Sequence, residues 1–323
     1  MELFRYTKPI GFMSKSKYAM IISMMLVLGS IFLIATKGLN FGIDFAGGTI
    51  VQVKYEGAAP IDKMREKLAN NPLFEGSSIN EFGSADEVVI RMKNSSESVT
   101  KDIGDVTREE LTGTGKFEIR RVDIVGAKVG SELREKGIMA LTLAIIGILI
   151  YVSVRFEWRF AVASVLALVH DLTISVGAIS LLGLDVNLDV IAALLTILGY
   201  SINDTIIIFD RIREELSGSS ELTVDGVIND SVSRTLSRTT LTSLTVLIVL
   251  ITLFVFGGEI IHTFAYTLLV GVTVGTYSSI FVASPLLEKL GFNLKAYRAK
   301  LSQKAAREAE KDRLRAQFEQ GIV

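Results

Sequence analysis

YAMIISMMLVLGSIFLIAT, residues Tyr18–Thr36, contains no charged side chain and no proline. A helix crossing the hydrocarbon core of a bilayer needs about 20 largely apolar residues, because no water is present there to satisfy backbone N–H and C=O groups. This stretch meets that need, and five later ones do too: Gly137–Val154, Phe160–Leu182, Val190–Phe209, Thr239–Phe256 and Thr263–Leu287. The whole chain of 323 residues is 49% hydrophobic, which places it outside the soluble class and makes the bilayer its main solvent. Lys15 and Lys17 precede the first span, as they would in a signal peptide. The apolar run is long, however, and no A-x-A cleavage pattern follows, so an uncleaved anchor is expected.

Lys and Arg in short loops are held on the cytoplasmic side and set the orientation. Arg5, Lys8, Lys15 and Lys17 precede the first span, Arg155 and Arg159 join spans two and three, and Arg211, Arg213, Arg234 and Arg238 lie between spans four and five. The opposite loops, Gly183–Asp189 and Gly257–His262, contain neither Lys nor Arg. Both termini are therefore expected in the cytoplasm. The tail Leu286–Val323 agrees, with nine basic and five acidic residues. It could meet anionic lipid or ribosomal RNA, but a solvated charged helix is the simpler reading.

Residues Lys37–Arg134, between spans one and two, are too polar to cross and too patterned for a simple loop. Thr49–Tyr55 (TIVQVKY) reads as a strand and Pro60–Ala69 (PIDKMREKLA) as a helix with proline at its start. Ser78–Phe82 and Glu87–Met92 flank the turn Gly83–Asp86, Glu97–Leu111 reads as a helix weakened by Gly104, and Lys116–Ile124 alternates as a strand. The order β-α-β-β-α-β is that of a ferredoxin-like α+β unit. The expected architecture is thus a membrane all-α bundle of six transmembrane helices with a ferredoxin-like extracytoplasmic domain after the first span. Its parts are residues 1–36 (N-terminus and first span), 37–134 (outer domain), 135–287 (spans two to six) and 288–323 (basic cytoplasmic tail).

Composition removes several functional classes. The absence of cysteine excludes disulfides and thiolate chemistry. Two histidines, His170 and His262, far apart in sequence, leave little material for a metal centre. Gly42 to Gly47 has the spacing of a phosphate loop but lacks the Gly-Lys-Ser/Thr that would hold the phosphate. With 34 Lys+Arg against 35 Asp+Glu, no global basic field argues for nucleic acid. No enzyme activity, metal or cofactor is expected.

Ionisable residues inside a span cost about 2.5–3.5 kcal/mol on insertion scales. Span three carries His170 and Asp171 near its middle, span four carries Asn203 and Asp204 two turns before Asp210, and span five begins at Arg238. Asp189, Thr196, Gly199, Asn203 and Asp210 share one helical stripe, which Asp204 borders. Asp204 is read as a proton carrier in preference to interhelical glue. The weights reverse for His170 and Asp171, because a hydrogen-bonded pair among Ser164, Ala167, Ser175 and Ala178 is explained by packing. Gly137, Ala140, Ala144 and Gly147 in span two, and Thr267, Gly271, Gly275 and Ser279 in span six, read as close-packing surfaces. Asp204 and Arg238 are expected in the cytoplasmic portion of adjacent spans, where their separation would set whether the carboxyl holds its proton. Gly42, Asp44, Gly47 and Gly48 lie where span one passes into the outer domain. There the glycines permit unusual backbone angles and Asp44 could bond freed amides, making a structural joint.

Three segments carry a family resemblance. Leu39–Thr49 (LNFGIDFAGGT) resembles the signature of the SecD/SecF protein-export family, and Gly199–Glu215 (GYSINDTIIIFDRIREE) and Ser233–Ser243 (SRTLSRTTLTS) resemble two further family segments. Val125–Gly130 (VGAKVG) resembles another, with Ala127 where the family usually has proline. A six-span chain of this kind is similar to the SecF type, not to its longer partner SecD. The resemblance implies a bacterial inner-membrane complex with SecD on the SecYEG channel, with YajC as a further candidate partner. Such a complex uses the proton-motive force to draw an unfolded exported polypeptide outward. On the same resemblance Asp204 and Arg238 correspond to the transmembrane carboxylate and arginine needed for proton flow, and Asn203 adjoins them. The family is related to proton-driven small-molecule efflux pumps, which supply the alternative. Those need outer domains several times larger than the segment Lys37–Arg134.

Overall fold

The structure is a computed structural model that describes residues 9–92, 102–218, 223–292 and 294–319. Arg5, Lys8 and residues 97–101 of the helix expected over Glu97–Leu111 lie outside the described residues. Six helical segments are long and apolar enough to cross a membrane. They are α1 (Phe12–Thr36), α5 (Ala127–Arg155), α6 (Trp158–Leu182), α7 (Leu188–Gly218), α8 (Val224–Phe256) and a broken sixth span. That last span runs as α9 (Glu259–Ser278), a π-helical turn (Ser279–Ala283) and α10 (Ser284–Lys289). Pro285 lacks an N–H and its ring would press on a carbonyl one turn back, a conflict that the wide turn before it relieves.

Each span is longer than its apolar stretch. α8 in particular starts 15 residues before the expected Thr239, because hydrophobicity marks the bilayer core while the helix continues beyond it to pack with α7 and α10, near α11 (Leu294–Glu319). In α6, α7 and span six half or more of the residues of the apolar window are buried, so these form the centre, with α1, α5 and α8 around them. The centre is closely packed through small residues: a Cβ on Gly271 would stand 2.1 Å from Ile197, and one on Gly177 2.3 Å from Ser30. In α5 the expected small-residue face is used as far as Ala144, which packs against the core of the bundle. Gly137 meets Ile191, whereas Gly147 has open space beside it.

Between α1 and α5 the chain forms a separate unit. Its elements are β2 (Gly48–Tyr55), α3 (Ile61–Leu68), β3 (Ser78–Phe82), β4 (Ser84–Met92), α4 (Ile103–Glu110) and β5 (Phe117–Val125). The four strands form one antiparallel sheet in the order β3-β4-β2-β5. Val51, Val53, Met64, Leu68, Ile90 and Leu111 are among the side chains of a core independent of the helical bundle. β4 begins at Ser84, not Glu87, because Gly83 alone makes the turn with φ +76° and a bulge at Glu81/Phe82 absorbs the register.

Three short elements near the signature are not visible in the sequence pattern. β1 (Asn40–Phe41) pairs in parallel with β6 (Asp185–Val186) of the α6–α7 loop, and α2 (Ile43–Ala46) is a single turn seated on α5. Two-residue strands have no alternation to detect. Ala127 is the first residue of α5, the helical position that proline tolerates best, so alanine there leaves the helix start intact.

Candidate functional site

Asp204 lies on the buried side of α7. It is 1% exposed, and neither carboxylate oxygen has a hydrogen-bond partner. The groups acting on it from α8 are the Ser243 hydroxyl and the Arg238 charge. Among the described residues Arg238 and Asp204 form no ion pair, and Arg238 is exposed. Two further hydroxyls of this region, Tyr200 on α7 and Thr239 on α8, are also buried without a partner. Ser243 itself is bonded to Thr276 of α9 at 2.7 Å. The site is thus a buried carboxylate with Ser243, Arg238 and Tyr200 within its electrostatic reach. Buried polar atoms of this kind are exceptions in native proteins and call for an explanation.

Asp171 is the opposite case. It is 0% exposed and fully partnered. His170 Nδ1 lies 2.8 Å from its Oδ1, while Ser201 of α7 and Ser278 of α9 donate to Oδ2 at 2.6 and 2.8 Å. One carboxylate therefore ties together the three central helices. Gly275 makes room for it, since a Cβ there would lie 3.0 Å from Ser201. His170 Nε2 is buried and without a partner.

The remaining predicted residues separate. Asn203 is exposed, as are Thr196, Gly199 and Asp210 of the same stripe, so this polar face of α7 points out of the chain. Asp210 bonds to Arg155 at 3.2 Å and faces Arg213 at 3.3 Å, at the end of the bundle and not within it. His262 stacks against Phe254 with ring centroids 4.3 Å apart. Among the described residues no group of His, Cys, Asp and Glu could hold a metal ion.

The signature Leu39–Thr49 wraps the junction between the sheet unit and the bundle. Asp44 Oδ2 accepts from the backbone N–H of Leu188, the first residue of α7, at 3.0 Å. Gly42 N–H donates to Val186, and Asn40 Nδ2 to the Gly183 carbonyl at 2.8 Å. Gly47 has φ +73° and Gly48 φ +135°, backbone that favours glycine, and their added Cβ atoms would lie 2.7 Å from Ala127 and 2.5 Å from the Met92 carbonyl. Arg91 of β4 forms an ion pair with Asp185, a second link between the sheet unit and the α6–α7 loop. The sequence reading singled out neither Arg91 and Asp185 nor Tyr200, Ser201, Thr239, Ser243 and Ser278. A charged residue or a hydroxyl becomes informative only once its partner is known. Only the recurrence of hydroxyls every fourth residue from Ser231 to Ser243 was there to be read.

Comparison with known proteins fits this arrangement. The model of the C-terminal region of protein export membrane proteins SecD/SecF matches residues 106–293, and that of the SecD/SecF GG motif matches residues 32–59. The protein translocase subunit SecF of Helicobacter pylori (strain ATCC 700392 / 26695) is 46% identical over 323 residues, covering 100% of both chains. That of Calditerrivibrio nitroreducens is 45% identical over 292 residues, 89% of this chain and 96% of its own. A crystal structure of SecDF from Thermus thermophilus, described as a translocon-associated membrane protein, superposes with a TM-score of 0.80 at 35% identity, over 90% of this chain and 40% of that one. SecDF in a super-membrane-facing form gives 0.65 at 34% identity, over 94% and 41%. This chain therefore spans less than half of those SecDF chains. With full-length identity to SecF subunits, and with both its signature and its helical bundle matched, the chain belongs to the SecD/SecF family of protein-export membrane proteins, on the SecF side.

Proposed function

We propose that the chain is the SecF-type subunit of a Sec translocase in the bacterial inner membrane. There it works with a SecD-type partner to couple the proton-motive force to polypeptide export through SecYEG, with YajC as an accessory. The observation that carries the proton-coupling part is Asp204: a carboxylate buried in the bundle with no partner for either oxygen. Its charge is costly there unless it takes a proton or a counter-charge, and Arg238 stays protonated throughout and is the cation within electrostatic reach. A potential of 100 mV supplies about 2.3 kcal/mol per charge moved across the membrane, enough to shift two conformations that differ by a similar amount.

The exposed polar stripe of α7, with Asn203 in it, and the exposed Arg238 support a partner bundle docked there, since lone polar groups facing lipid are expensive. The outer unit, residues 37–134, is read as a ferredoxin-like extracytoplasmic domain; its strand order and antiparallel pairing support that reading. Residues 1–36, 135–287 and 288–323 are read as the first span with its N-terminus, the remaining spans, and a cytoplasmic tail, with both termini inside on the strength of the basic loops. Gly42, Asp44, Gly47 and Gly48 act as the joint through which the outer unit and α7 move together. A small outer unit of this size speaks against the efflux-pump alternative.

The test is proton-driven export in cells depleted of this chain and supplied with wild type, Asp204→Asn or Arg238→Met. Loss of export with an intact complex is expected from both variants. Unchanged export in both would overturn the coupling role, and loss of the complex in Asp204→Asn would reduce Asp204 to interhelical glue.

A further inference from the structure

Basic residues at the ends of spans are expected for orientation alone, and two in this chain have carboxylates of their own. Arg211 pairs with Glu214 and Glu215, and Arg234 with Asp230 and Glu215. Arg155, the last residue of α5, and Arg213 of α7 are arranged differently. Both guanidiniums meet a single oxygen, Asp210 Oδ1, at 3.2 and 3.3 Å. Both also lie over the one ring of Phe156, each 5.4 Å from its centroid. Two cations thus share one carboxylate oxygen while their side chains stay 44% and 36% exposed.

The ring holds the pair in place. Phe156 is 8% exposed and packs against Phe160 and Phe209, with centroids 5.7 and 6.4 Å away. Arg213 Nη1 donates to the Arg155 carbonyl at 3.2 Å, which fixes the second cation beside the first. Like charges held this close repel, and a second anion would offset that repulsion. Each guanidinium presents five N–H donors in a planar fork, so two side by side suit the several oxygens of a phosphate.

What adjoins the pair selects the kind of anion. Leu143, Gly147, Ile150 and Val154 follow at spacings of four, three and four, so they share one face of α5, and Arg155 stands directly beside its end. Leu143 and Ile150 are each 58% exposed and Val154 84%, whereas a Cβ on Gly147 would meet nothing within 4 Å. An apolar strip with a notch at Gly147 therefore runs from the arginines into the bilayer core. Trp158, in the turn after Arg155, is exposed at the level where tryptophan favours headgroups. A soluble phosphate would use the charges alone, but a phospholipid uses the charges and the strip together. We infer that Arg155 and Arg213 bind the phosphate of an anionic phospholipid in the leaflet at this end of α5, with an acyl chain laid along Leu143, Gly147, Ile150 and Val154. On the orientation proposed above this is the cytoplasmic leaflet; the binding itself depends neither on that orientation nor on Asp204 carrying protons.

The complex of this chain with its SecD-type partner is purified in detergent and titrated with phosphatidylglycerol or phosphatidylethanolamine, and bound lipid is followed by native mass spectrometry. Replacing both arginines (Arg155→Gln with Arg213→Gln) is expected to weaken phosphatidylglycerol binding roughly 30-fold, the effect of two charges near a membrane surface. Asp210→Asn removes the competing carboxylate and is expected to tighten it roughly fivefold, the effect of one. Arg234→Gln, which removes a cation with carboxylates of its own, leaves it unchanged. Phosphatidylethanolamine, with no net charge, binds more weakly and responds to none of these changes. If the double variant does not assemble, Asp210→Asn decides alone. Equal phosphatidylglycerol binding by wild type and the double variant, or no gain in Asp210→Asn, would overturn the site. So would equal binding of the two lipids, or displacement of phosphatidylglycerol by inorganic phosphate at the same concentration, which would make this a site for a soluble anion.

Discussion

Asp44 and Leu188, 144 residues apart, are joined by a hydrogen bond of 3.0 Å from the Leu188 backbone N–H to the Asp44 carboxylate. The first N–H groups of a helix have no partner within it, and the helix dipole favours a negative group beside them. The family signature thus caps the helix that bears Asp204. This bond, the β1–β6 pairing and the Arg91–Asp185 ion pair link the signature and the sheet unit to α7 and the loop before it.

Asp44→Ala removes the cap and is expected to lower the stability of the complex by about 1 kcal/mol. Asp44→Asn keeps an accepting oxygen and stays near wild type. Thermal unfolding of the purified complex separates the two, and equal melting of all three proteins would show that the bond carries no weight.

At Gly47 and Gly48 both backbone angle and space forbid a side chain, whereas Gly126 has an ordinary φ of −66° and nothing within 4 Å. Gly47→Ala and Gly48→Val should impair export while leaving the spans inserted, and Gly126→Ala should have no effect. Membrane fractionation and pulse-labelled export measure this. Normal export in Gly48→Val would remove the joint from the mechanism.

Asp171 and Asp204 should respond oppositely to the same change. Asp171→Asn places an NH₂ group either on the side where Ser201 and Ser278 both donate or against His170 Nδ1, costing about 1–3 kcal/mol where a buried group is left unsatisfied. Asp204→Asn has no hydrogen bond to lose and leaves stability unchanged or higher, yet abolishes proton flow. Melting curves and proton uptake on both variants check the contrast; a destabilised Asp204→Asn would contradict it.

Orientation is testable without a reporter fusion. A cysteine at Gly57, where a side chain meets open space, should react with an impermeant reagent from outside intact cells stripped of their outer membrane. One at Ala309 in α11, which is exposed, should react only after the membrane is opened. The reverse pattern would invert the topology.

Six spans and the order of strands and helices between the first two were legible in the sequence. An apolar run of about 20 residues and a two-residue alternation are local consequences of the solvent each face meets. That Asp204 borders the polar stripe of α7 followed from the same periodicity.

What periodicity could not supply was the partner of each face. Along a membrane helix both lipid and protein are apolar, so the stripe Thr196, Gly199, Asn203 and Asp210 reads alike whether it turns inward or, as it does, outward. Only the packing of α6, α7 and α9 decides that Asp171 collects Ser201 and Ser278 while Asp204 collects nothing. Only the closure of the α6–α7 loop on the signature brings Leu188 to Asp44. Hydrophobic pattern is set residue by residue by the solvent. Polar satisfaction depends on groups far apart in the chain and exists only once the helices have docked.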